Sequence, residues 1–207
     1  PASIGATAVR HGETVRITGT KTAVADGDVA DFAIVGAVEA GGGSGLSLYL
    51  VELGGAGVVR TPVVTVDPTR SHAQLRFDDA VAEPLGPAHE GWDLVQRVYG
   101  RAAVLIAFEQ LGGADRALEM GRDYALERFA FGRPIGSLQA IKHMLADMYV
   151  SATLARSNCY YSAWALSTGA AELPQAAATA RVSATQAYQH CARNDIQVHG
   201  GMGFTWD

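Results

Sequence analysis

Residues 124–148, YALERFAFGRPIGSLQAIKHMLADM, are the stretch on which the reading of this chain turns. Arg128 closes one helical segment, the Phe131-Gly132 pair breaks it, and Gln139 opens the next. A guanidinium and freed backbone amides at such a junction suit a diphosphate. On spacing alone, a structural helix–turn–helix is the stronger reading.

The helical period continues on both sides of this block. Upstream, positions 98, 102, 105, 109 and 112 recur at gaps of four and three. Downstream, Leu138, Ile141, Leu145, Met148, Ala152, Ala155 and Cys159 form a second stripe. Ala177, Ala180, Ala184, Ala187, Cys191, Asn194 and Val198 form a third. Such stripes are the buried seams of long antiparallel helices. Gly132 and Pro134 interrupt the first helix, and Gly136-Ser137 offers an N-cap to the second. Gly169 ends that helix, and Pro174 suits the first turn of the next. The spacing predicts three helices, roughly 90–130, 137–167 and 174–198.

Before about residue 87 the texture differs. Thr14–Thr18 and Ala73–Phe77 alternate, while Phe32–Val38 and Leu46–Val51 are compact β-prone runs. Glycine- and aspartate-rich turns separate them. This predicts an antiparallel sandwich or barrel over 1–86, followed by a helical bundle over 87–207. The fold class is α+β. Gly41–Gly45 (GGGSG) lacks the Lys-Ser/Thr and helix of a phosphate loop, so it reads as a hairpin tip.

Composition narrows the function classes. The chain has 207 residues, 48% hydrophobic and 18% charged, with a net charge of −5. That balance describes a globular protein, with no basic block for nucleic acid or an anionic membrane. No apolar run reaches the roughly 18 residues of a membrane span, and the first residues lack the apolar core of a signal peptide. Cys159 and Cys191 lie on the helical stripes and read as packing residues, which with the rest predicts a cytoplasmic setting. No residues show metal-ligand spacing; His143 and His190 read as structural or exposed, and Asp147 and Arg156 as surface or interhelical groups. Trp92, Trp164 and Trp206 read as large apolar anchors.

A second block, Ile196–Phe204 (IQVHGGMGF), carries three glycines that allow close backbone approach and a Gln197 amide donor. The two blocks together resemble the C-terminal domain of the acyl-CoA dehydrogenases. That family's Arg-x-x-Phe-Gly turn, Gln-Ala-Ile helix start, Leu-Ala-Asp-Met stretch and Gln-x-x-Gly-Gly-x-Gly-Phe loop all stand here in order. Gly19-x-Lys21 with Ala30-Asp31 is similar to its middle β domain, and Asp67-Pro68-Thr69-Arg70 to its bacterial branch.

The resemblance implies a flavoprotein that desaturates an acyl-CoA thioester, using FAD and an electron-transfer flavoprotein as acceptor. It implies a chain that begins within the middle β domain and lacks the last helix of the bundle. It places Arg128 on the FAD diphosphate of a neighbouring subunit, with Phe131, Gln139, Gln197, Gly200 and Gly201 as further FAD contacts. His199, inside the glycine loop, lines the same site. A homo- or hetero-oligomer, dimer or tetramer, is implied through residues 137–204.

Several positions depart from the family pattern. Its catalytic base is a glutamate, which in one branch sits early in the first long helix and is followed by an arginine. Ala102 and Ala103 stand there. In the larger branch the base lies beyond Asp207. The residues that cover the flavin ring are Ala23 and Ala25 here. Glu109 is the candidate replacement, about 20° around the helix and about 10 Å along it from Ala102. If buried, it would have a raised pKa suited to a base; it also reads as a structural carboxylate paired with an arginine. Three functions therefore compete: a dehydrogenase of fatty acid or steroid acyl-CoA, a non-catalytic subunit that completes a heteromeric enzyme, and a relative with another activity, such as a flavin monooxygenase or nitroalkane oxidase.

Overall fold

The computed structural model describes residues 4–12, 14–41, 45–67 and 69–205. The middle of the GGGSG tip, Pro68 and Trp206 lie outside the described residues. The chain forms two compact units, residues 1–96 and 97–207.

The first unit is a sheet of β1 (Ala6–His11), β2 (Thr14–Ala25), β3 (Phe32–Glu39), β4 (Leu46–Glu52), β5 (Val58–Pro62) and β6 (His72–Leu85). The strand order is β2-β1-β3-β4-β6-β5, and β2 also pairs with β6. The long β6 takes β2 along one edge, and β5 and β4 in succession along the other, so the sheet closes as a barrel. The sequence anticipated four of the six strands. It missed β1 and β5, and it missed that β1 runs parallel to β3, with Thr7 opposite Val38. Short, partly polar strands carry too little alternation to stand out.

Two bulges set which side chains face inward. Asp79, at φ 55°, inserts an extra residue in β6, so Ala73, Leu75 and Phe77 give way to Ala80 and Ala82 as the buried set. Ala23, at φ 52°, does the same in β2. The run in β4 is buried on both faces, because the start of the first helix lies on its outer side. There a Cβ on Gly91 would stand 2.8 Å from the Leu46 carbonyl.

The second unit holds most of α1 (Gly91–Glu127), with α2 (Gln139–Thr168) and α3 (Leu173–His199). The predicted α2 and α3 stripes are the observed seams: Met148, Ala152, Ala155 and Cys159 pack against Ala180, Ala184, Ala187 and Cys191. The predicted α1 stripe is wrong. Val98 and Leu105 are 61% and 66% exposed, and the buried line is Val104, Ala107, Leu111 and Ala114. Both lines keep 3-4 spacing, so period alone could not choose between them. Gly169 ends α2 at φ 66° and Pro174 occupies the first turn of α3, as predicted. Ser137 does not cap α2; its hydroxyl donates to the Pro134 carbonyl at 2.7 Å. Trp92 and Trp164 are 45% and 50% exposed and are not core anchors.

Among the described residues no helix is long and apolar enough to cross a membrane. Nor does any group of His, Cys, Asp and Glu have the arrangement of a metal site.

Candidate functional site

The junction after α1 is a hairpin. Phe129–Ala130 (β7) pairs with Arg133–Pro134 (β8), and Phe131 and Gly132 turn the chain at φ 54° and 76°. Two successive positive φ values are those of a type I′ turn, which glycine tolerates and phenylalanine does not favour. The Phe131 ring at the tip is 93% exposed. The Ile135 amide donates to the Arg128 carbonyl at 2.9 Å and the Arg128 amide to the Tyr124 carbonyl at 2.8 Å, so both sides of Arg128 are held.

The α3 helix ends at a second turn. Gly200 has φ 60° and ψ −132°, a conformation that side chains resist, and a 3-10 turn spans Gly200–Gly203. This turn and the Arg128 junction face one cleft of about 540 Å³, lined by Tyr124, Arg128, Ile135 and the 198–202 segment with Thr205. A Cβ on Gly201 would meet nothing within 4 Å, and its φ is not positive. Among the described residues, nothing in the packing requires glycine there.

One histidine is built into the wall. Its ring stacks on Tyr124, with centroids 4.2 Å apart and planes at 28°. This is His199, whose Nδ1 lies 2.9 Å from the Asp195 carbonyl oxygen and 3.1 Å from Asp195 Oδ1. Burial pushes the Asp195 carboxyl up, against the opposing pull of His199 and Arg116.

The predicted residues therefore divide. Arg128, Gly200 and Gly201 line one cleft, with His199 between them. Phe131 sits at the exposed hairpin tip, Gln139 is the exposed first residue of α2, and Gln197 is exposed in the last turn of α3. Glu109 is exposed rather than buried. Tyr124 and Asp195 were not singled out from sequence. Their signal was faint: Tyr124 lies one helical turn before Arg128, and Asp195 one turn before His199.

The family model described as the acyl-CoA dehydrogenase C-terminal domain matches residues 89–207. The chain belongs to the acyl-CoA dehydrogenase family. Acyl-CoA dehydrogenase IpdE2 of Mycobacterium tuberculosis is 41% identical over 150 residues, 70% of this chain and 41% of that protein. Among solved structures, the Tcur3481-Tcur3483 steroid ACAD superposes with a TM-score of 0.81 at 32% identity, covering 98% of this chain and 54% of that one. The ChsE4-ChsE5 complex from Mycobacterium tuberculosis gives 0.84 at 30% identity, covering 99% and 54%. The chain thus spans about half the length of the family members it matches.

Proposed function

We propose that this chain is part of an FAD-dependent acyl-CoA dehydrogenase and that its Arg128 cleft receives the flavin diphosphate. The observation that carries the reading is the convergence of Arg128 with Gly200 and Gly201 on one cleft. The residues fit the group. A guanidinium can engage phosphate oxygens with two parallel donors. Gly201 leaves open space beside the loop, where a side chain would otherwise stand. Bound FAD would supply the hydride acceptor for desaturation between the α and β carbons of a CoA thioester. Phe131, Gln139 and Gln197, exposed in this chain, would add contacts across an interface between subunits. An electron-transfer flavoprotein would be the acceptor.

The test is Arg128→Ala in the complete protein. Losing the charge-assisted contact costs roughly 1.5–3 kcal/mol, or ten- to a hundredfold in FAD affinity. Unchanged flavin content after dialysis removes Arg128 from the site.

A second reading has its own support. Ala102 and Ala103 carry no carboxylate, and Glu109 stands exposed. Two of the similar structures have paired names, Tcur3481-Tcur3483 and the ChsE4-ChsE5 complex. On this reading the chain completes the flavin site of a heteromeric dehydrogenase of fatty acid or steroid acyl-CoA, and its partner supplies the base. Full-length Glu109→Gln separates the two. Turnover that needs a partner subunit and survives the substitution supports the non-catalytic role. Turnover by the protein alone that the substitution abolishes, with flavin retained, makes Glu109 the base.

A further inference from the structure

We propose that Asp195 and Tyr124 hold His199 as a hydrogen-bond acceptor for a hydroxyl of the nucleotide whose diphosphate lies at Arg128. This rests on the FAD reading above and adds a recognition element to it.

The argument starts from the ring nitrogens. His199 Nδ1 lies 2.9 Å from the Asp195 carbonyl oxygen, an acceptor, so Nδ1 carries the hydrogen. Asp195 Oδ1, 3.1 Å away, is a charged neighbour that accepts no hydrogen bond from the described residues. In the neutral ring Nε2 then holds the lone pair. No described residue hydrogen-bonds to Nε2, and the ring lines the cleft beside Arg128. Tyr124, stacked at 4.2 Å, fixes the plane of the ring. The Asp195 side chain is only 14% exposed. It packs against α1 at Gly121, where a Cβ would come within 3.1 Å of Oδ1. Burial between helices thus keeps the carboxylate beside the histidine.

The chemistry of the partner follows. A phosphate oxygen is itself an acceptor and has nothing to offer an Nε2 lone pair. A ribose or ribityl hydroxyl does. Arg128 supplies donors to the diphosphate, and His199 accepts from the neighbouring sugar or sugar alcohol. Asp195 is a positioning residue that acts through His199: its backbone carbonyl fixes the Nδ1 hydrogen, and its buried carboxylate lies beside the ring.

The experiment uses the complete protein with FAD and with inorganic pyrophosphate, a probe that carries no ribose or ribityl hydroxyl. His199→Ala is expected to weaken FAD about tenfold and leave pyrophosphate unchanged. His199→Gln, whose amide oxygen can accept, is expected to recover most of the loss. Gly121→Ala, which crowds Oδ1, is expected to weaken FAD alone. Nitrogen-15 spectra of labelled histidine should show Nδ1 protonated and Nε2 bare before any ligand is added. Equal losses for both ligands in His199→Ala, no loss for either, or a proton on Nε2 overturns the proposal. If Arg128→Ala changes neither affinity, the flavin reading fails instead, and the nitrogen spectra still decide whether Asp195 sets the tautomer.

Discussion

The Nη2 atom of Arg156 on α2 lies 2.6 Å from Asp115 Oδ1 and 2.7 Å from Oδ2 on α1. The pair joins two helices above the cavity that Leu118, Leu145 and Tyr149 also line. Hydrogen bonding and charge from Asp115 hold the Arg156 guanidinium above its ordinary pKa. Both side chains are a third or more exposed, so solvent screening limits the gain. A double-mutant cycle with Arg156→Met and Asp115→Asn is expected to return a coupling of about 1 kcal/mol in denaturant unfolding, smaller at high salt. A coupling that salt leaves unchanged would contradict this account.

A second prediction concerns barrel closure. Gly19 has φ 148°, and a Cβ there would lie 2.3 Å from the Gly5 carbonyl oxygen and 2.6 Å from Ala6 Cα. The obstructing atoms are backbone, which cannot rotate aside. Gly19→Ala should therefore destabilise the β unit by roughly 2–4 kcal/mol. Loss of amide-exchange protection in β1 and β2 before the helices would show it.

The third concerns the thiols. Cys191 is buried, its Sγ donates to the Met148 carbonyl, and burial pushes its pKa up to about 11. The reactive thiolate is then scarce near neutrality. Neither Cys191 nor buried Cys159 should react with a thiol reagent at pH 8 until the protein is denatured. The sign of the linkage is also set. The unfolded chain loses this proton near pH 9 and the folded one near 11, so stability falls as pH rises through that window. A flat unfolding free energy between pH 9 and 11 would count against it.

Much of the fold is legible in the sequence. The α2 and α3 seams read correctly because small residues at 3-4 spacing lie on otherwise polar helices, leaving one face that can be buried. The helix ends at Gly169 and Pro174 read correctly because their chemistry is local. The α1 stripe failed because that helix is apolar on more than one side: Val98, Tyr99 and Leu105 stand exposed while Val104 and Ala107 are buried. Glu109, on the same line, is exposed as well.

The site divides in the same way. Residue identity and spacing along the chain determined the family, the helix–turn–helix break after Arg128 and the glycine-rich end of α3. These depend on backbone preferences of a few adjacent residues, which sequence encodes directly. Only the tertiary structure decided that Arg128 and Gly200 share a cleft, that Tyr124 stacks on His199, and that Asp195 is buried against Gly121. Residues some seventy positions apart meet only when α1 and α3 pack at one register. That register is chosen by the summed fit of their small-residue faces, and no single stretch of sequence contains it.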